Sequence, residues 1–310
     1  MPSPLKPPAL KAGAVVRVIS PSSPVDEGAL EAGRKELARL GFEPVVADGA
    51  RARHGFFAGS HASRWEGLTG AFGDKSVNGV WCSRGGYGAT YLLDRVDATM
   101  FASPRVFVGY SDATALQSFL WQKLNWVTFH GPMVAAGLDK GAAGSDEESL
   151  LAAVRNTSGG WRVNLHGEPL AEGIAEGVLL GGCLTVLQTT LGTPWELDTR
   201  GAILVLEDRA MRPFQVDRAL MHLRQAGKLR ELHGIIFGEF PECEPPGESE
   251  NVQSIASRFA RDSGIPVVWG AAVGHTPRPM LTLPLGVRAR LEAGAGGAKT
   301  DLHILEAAVT

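Results

Sequence analysis

The sequence predicts an α/β protein of two domains: an open sheet of parallel strands first, then a mixed domain richer in strand. Three observations carry this. The chain has 310 residues, near the upper limit for one hydrophobic core. Up to about residue 140, short apolar runs alternate with helix-length amphipathic stretches, the pattern of βα units that build a parallel sheet. Beyond that point apolar runs follow one another with fewer and shorter helical stretches between them.

Residues 14–20 (AVVRVIS) form the first expected strand. The loop Pro21-Ser22-Ser23-Pro24 follows, and residues 25–40 carry Leu30, Leu37 and Leu40 at helical spacing, with Gly41 as the stop. Residues 44–47, 79–83, 105–110 and 126–129 read as further strands. The stretch 140–145 (KGAAGS) is small and polar, and a short polar helix and residues 156–160 extend the break. The expected division is therefore a domain over 1–140, a linker over 141–168 and a domain over 169–310. In the last of these, strands are expected at 177–180, 202–206, 234–240, 266–272, 287–291 and 301–305, and helices at 215–227 and 251–263.

Composition narrows the function. With 44% hydrophobic residues, 39 Gly and 20% charged residues, the chain is that of a globular enzyme, not a disordered or fibrous one. Thirty basic against 33 acidic residues, without a dense Lys/Arg run, argue against a nucleic-acid partner. Apolar runs such as 202–206 and 266–273 fall far short of the roughly 20 residues that span a bilayer, so no membrane partner is expected. The start, MPSPLKPPALKAG, lacks the apolar core of a signal peptide, which makes the cytoplasm the default location. Cys82, Cys183 and Cys243 are an odd set without CxxC spacing, supporting neither a disulfide framework nor a zinc site.

The sharpest local feature is RVFVGYSDATAL at 105–116, a hydrophobic strand running directly into a helix with Ser111 at the corner. A nucleophile elbow needs small residues two positions either side of its serine, and Gly109 and Ala113 meet that need. The turn would aim the N–H of Asp112 at a developing oxyanion. The plainer alternative is that Ser111 or Asp112 simply caps the helix. WCSRGGYGA at 81–89 places a glycine-rich bend after another strand, and Gly86 is the candidate second oxyanion donor; a bland tight turn is the alternative. Serine at neutral pH requires a base, and His130 and His275, each in a loop expected just beyond a strand, qualify equally. For the orienting acid, Glu207 and Asp208 emerge from a buried strand, and Glu239 shares that context.

Taken together these motifs resemble the LD-carboxypeptidase family of serine peptidases, which includes the microcin-immunity peptidases. The resemblance rests on SRGGYGA (83–89), VGYSDAT (108–114), FHGP (129–132), GGCLTVLQTTLGTP (181–194), LEDRAMRPFQVDRAL (206–220), GIIFGEF (234–240) and GHTPRPMLTLPLG (274–286). It implies Ser111 as nucleophile, Glu207 as acid and His275 as base, with the backbone N–H groups of Gly86 and Asp112 as oxyanion hole and His130 left structural. It also implies a Rossmann-like first domain with helices on both faces of its sheet, a β-rich second domain, a site at the domain interface and a cytoplasmic homodimer without cofactor or metal. The family usually carries Asn where Cys183 stands and Gly where Thr276 stands.

The implied substrate is a muropeptide tetrapeptide that loses its terminal D-Ala. Arg84, beside the glycine turn, is the candidate partner of the terminal carboxylate, because a guanidinium matches a carboxylate bidentately. One alternative keeps the enzyme and changes the substrate to an aminoacyl-nucleotide of the microcin C type, with Trp161 or Trp195 stacking on the base. Another is a noncatalytic muropeptide-binding module.

Overall fold

The computed structural model describes residues 3–96, 98–101, 103–244, 247, 250–294 and 299–310. The chain forms two compact units: residues 1–157 with 278–284 and 308–310, and residues 158–277 with 285–307.

The first unit contains β1 (Val15–Ile19), α1 (Glu27–Arg39), β2 (Glu43–Val46), α2 (His61–Gly73), β3 (Gly79–Cys82), α3 (Thr90–Leu93), β4 (Val106–Gly109), α4 (Thr114–Leu124), β5 (Thr128–His130) and α5 (Glu147–Arg155). Helix α1 begins where Asp26 accepts the Ala29 N–H at 2.9 Å, and it ends before Gly41, whose φ is +88°. It buries Leu30 and Leu37 completely, which contributes about 1.5–3 kcal/mol each. The strands pair in parallel in the order β5-β4-β3-β1-β2. All residues of β3, β4 and β5 are buried, as expected of strands covered on both faces.

Within the doubly wound class expected from the sequence, this is the 2-1-3-4-5 order, which reverses between β1 and β3. In such sheets ligands bind beyond the carboxyl ends of the strands at that switch point. The loops leaving β1, β3 and β4 carry Ser22 and Ser23, the 83–88 turn, and Ser111 respectively.

The second unit contains β6 (Trp161–Asn164), β7 (Glu168–Ala171), β8 (Gly173–Cys183), α6 (Leu184–Thr189), β9 (Ala202–Glu207), α7 (Pro213–Gln225), β10 (Gly234–Gly238), α8 (Val252–Arg261) and β11 (Val267–Ala271). After it the chain contributes β12 (Leu283–Leu285), which extends the first sheet beside β5, and then β13 (Arg288–Ala293) and β14 (Thr300–Ile304). The second sheet has the order β6-β14-β13-β8-β9-β10-β11-β7. Its centre, β8 to β11, is parallel, and β7, β13, β14 and β6 add antiparallel pairings at its sides.

The stretch 141–168 contains α5 and β6. Helix α5 has Asp146 accepting the Ser149 N–H at 2.8 Å as its cap and buries Leu150, Ala153 and Val154. The units divide at 157/158.

Candidate active site

Strand β4 ends at Gly109, and after the extended Tyr110 the chain turns at once into a 3-10 turn at Ser111–Ala113 that feeds α4. Ser111 has φ 60°, a left-handed conformation that costs a non-glycine residue roughly 1–3 kcal/mol. The small neighbours have a steric reason. A Cβ at Gly109 would lie 2.8 Å from the Ala113 Cβ, and a Cβ at Gly85 would lie 2.7 Å from the Ser111 Cβ and 2.8 Å from its Oγ. Gln117 on α4 fastens the helix beneath the strand ends, donating to the carbonyls of Gly109 (3.0 Å) and Phe129 (2.9 Å).

Neither Ser111 nor Asp112 caps the helix through its side chain. The Asp112 carboxylate is 4% exposed and accepts the Ala89 N–H at 2.8 Å. Burial pushes its pKa up, against the opposing pull of the Ser22 hydroxyl, the Ala89 N–H and the Arg64 charge. The glycine turn is held from a second side by Ser23, whose N–H donates to the Gly85 carbonyl (3.3 Å) and whose Oγ accepts the Tyr87 N–H (3.0 Å). Ser111, Asp112 and the 85–89 turn thus form one assembly within the first unit.

In the second unit, Glu207 is the last residue of β9, a strand buried at every position, and is itself 0% exposed. A carboxylate so placed needs strong partners. His275, in the loop after β11, supplies two: its backbone N–H at 3.0 Å and its ring Nδ1 at 2.6 Å, both to Oε2. With Nδ1–H donated to the carboxylate, Nε2 carries the ring's lone pair. Burial pulls the His275 pKa down, but the Glu207 charge and hydrogen bond, with Asp208 behind them, outweigh it and the net shift is upward. Asp208 accepts the Thr185 N–H (2.7 Å) at the start of α6 and the Arg209 N–H (2.8 Å).

The structure distinguishes the remaining candidates by position. His130 is not in a loop: it closes β5, is 0% exposed, and has its ring 6.1 Å from that of Tyr110. Glu239 accepts the Thr276 hydroxyl. Cys183 pairs in register with Glu207 across β8 and β9 and is buried. Arg84 is exposed and donates to the Pro24 carbonyl at 3.1 Å. Trp161 opens β6, and Trp195 lies in the loop after α6; both are half-buried. Sequence reasoning passed over Ser23, Asp208 as the link to α6, and Gly274, where the signal was a glycine directly preceding the histidine. Among the described residues no group of three or more His, Cys, Asp or Glu is placed to hold a metal ion, and no helix is long and apolar enough to cross a membrane.

The fold is α/β, a doubly wound unit and a mixed, β-rich unit, and two family models make the chain a peptidase. The LD-carboxypeptidase N-terminal domain matches residues 16–131 and the LD-carboxypeptidase C-terminal domain matches residues 176–291. The chain belongs to the LD-carboxypeptidase family. It is 34% identical over 312 residues to the Bacillus subtilis protein named a probable murein peptide carboxypeptidase, covering 98% of this chain and 97% of that one. Among solved structures it is similar to muramoyltetrapeptide carboxypeptidase from Oxalobacter formigenes, with a TM-score of 0.84, 29% identity, and coverage of 96% of this chain and 100% of that one. It shares its fold with the microcin C7 self immunity protein MccF, with a TM-score of 0.91 at 23% identity, over 99% of this chain and 100% of that one.

Proposed function

We propose that this protein is a serine carboxypeptidase that removes the terminal D-Ala from muropeptide tetrapeptides, acting as a cytoplasmic homodimer in cell-wall recycling. The observation that carries the reading is the 2.6 Å contact of His275 Nδ1 with a fully buried Glu207, which fixes the tautomer a general base requires. In the proposed reaction Ser111 Oγ attacks the carbonyl carbon of diaminopimelate and its proton passes to His275 Nε2. The N–H groups of Gly86 and Asp112 hold the oxyanion. The imidazolium then gives its proton to the departing D-Ala amine. Water, deprotonated by the same nitrogen, releases the acyl group from Ser111. Arg84 is proposed to bind the terminal carboxylate.

Incubation with a UDP-linked tetrapeptide and mass spectrometry for loss of D-Ala tests the substrate. Fluorophosphonate labelling tests the nucleophile: an unlabelled wild type, or equal labelling of Ser111→Ala, rejects the serine chemistry. The shared fold with the microcin protein supports a second reading, cleavage of an aminoacyl-nucleotide amide. Turnover of such an analogue without turnover of the tetrapeptide selects it, and binding of tetrapeptide without labelling or turnover selects a noncatalytic module.

A further inference from the structure

We propose that Arg64, on α2, is a positioning residue that sets the glycine turn for oxyanion binding; the inference rests on the serine-peptidase reading above. Arg64 is 3% exposed, an unusual place for a guanidinium, and it reaches both that turn and the loop after β1. Its Nη1 donates to the Gly88 carbonyl at 2.7 Å and to the Pro21 carbonyl, its Nη2 meets His61 Nδ1, and its guanidinium carbon stands 4.8 Å over the Phe57 ring.

The Gly88 carbonyl and the Ala89 N–H belong to one planar peptide group. Arg64 holds its oxygen while Asp112 accepts from its nitrogen at 2.8 Å. The plane is therefore gripped at both edges, by a buried cation on one side and a buried carboxylate on the other. Pro21 lies two residues before Ser23, so the same guanidinium also fixes the loop whose Ser23 bonds Gly85 and Tyr87. Among the described residues these contacts engage Gly85, Tyr87, Gly88 and Ala89, and no hydrogen bond engages Gly86. The turn is thus immobilised on both sides of the one residue whose N–H is proposed to face the oxyanion.

A lysine cannot reproduce the whole of this grip, because its ammonium offers no second nitrogen for His61 and no plane to lie over Phe57. Desolvating a guanidinium has a cost that an apolar residue filling the same space would avoid. Retention of the charge at this depth therefore fits a demand for geometry at the turn.

The test compares Arg64→Met and Arg64→Lys with Leu68→Ala, a change at a buried residue of the same helix. The readouts are the rate of fluorophosphonate labelling at Ser111, kcat and KM for D-Ala release, and the thermal midpoint. Arg64→Met is expected to slow labelling and lower kcat by about 10- to 100-fold with KM changed less than about twofold, the pattern of lost transition-state stabilisation. Arg64→Lys is expected to fall between, and Leu68→Ala to lower the midpoint while labelling stays within about twofold. Wild-type labelling in Arg64→Met, or an equal loss in Leu68→Ala, overturns the proposal. If Arg64→Met does not fold, Arg64→Lys decides: labelling slowed more than about threefold supports the role, and unchanged labelling overturns it. Wild type that labels at Ser111 without releasing D-Ala sinks the tetrapeptide reading alone. Wild type that does not label overturns both.

Discussion

Gly274 stands so close to Glu207 that a Cβ at position 274 would lie 2.2 Å from the carboxyl carbon and 2.3 Å from Oε2. The backbone there has φ +69°, and the next residue is His275. Close approach and backbone conformation thus both require glycine where the acid meets the base. Gly274→Ala is expected to displace the carboxylate and lower kcat/KM by at least about 100-fold, with a loss of stability of about 1–3 kcal/mol. Steady-state kinetics and urea unfolding check this; near-wild-type kcat/KM would count against the Glu207–His275 pair as catalytic machinery.

The upward shift of the His275 pKa gives activity and stability opposite pH slopes. The base must be neutral, so kcat/KM is expected to rise with pH through a midpoint above the ordinary histidine value. For stability the sign is reversed. A group whose folded pKa exceeds its unfolded value contributes fully below the unfolded value, and that contribution is lost as pH rises through the folded one. In Glu207→Gln the upward influence is removed and burial dominates, so any residual activity should show a midpoint moved toward acid. A midpoint unmoved by the substitution would reject Glu207 as the controlling charge.

Ser111→Gly and Ser111→Ala are expected to remove labelling alike and to differ in stability. Glycine accepts the 60° φ without strain, and Ser111→Gly is expected to raise unfolding free energy by about 1 kcal/mol relative to Ser111→Ala. Urea denaturation of the two variants at one pH measures the difference. Equal stability would mean that the elbow does not store strain.

Cys82, Cys183 and Cys243 are all buried thiols. Burial pushes the Cys243 thiol up to about 11 and raises those of Cys82 and Cys183 as well. Iodoacetamide at neutral pH is expected to leave the folded protein unmodified and the activity intact, as mass spectrometry and assay would show. Rapid inactivation, protected by substrate, would point to a thiol in the chemistry.

How far sequence led depended on whether a signal was local. Strands β4 and β9 stood out because buried strands are continuous apolar runs, and Ser111 because the elbow leaves a glycine and an alanine at fixed offsets. Strands β6 and β7 lie at the two edges of the second sheet, half-exposed, and β7 carries Pro169, so the apolar pattern that marks a strand is absent. Helix α6 has six residues, too few for a helical period to register. His130 and His275 looked equivalent because neighbouring residues do not reveal which ring meets a carboxylate 68 positions away. Arg64 had no local signature at all: its role depends on α2 lying against a turn that is more than 20 residues distant.

The first unit is not continuous in sequence. Residues 278–284 contribute β12 to its sheet edge, and at the far end the Thr310 N–H donates to the Pro7 carbonyl at 2.9 Å while the Ala9 N–H donates to the Thr310 carbonyl at 2.9 Å. During synthesis β5 leaves the ribosome about 150 residues before β12, at about 5–20 residues per second. For at least several seconds the nascent sheet therefore has its β5 edge uncovered, with backbone groups open to pairing with other chains.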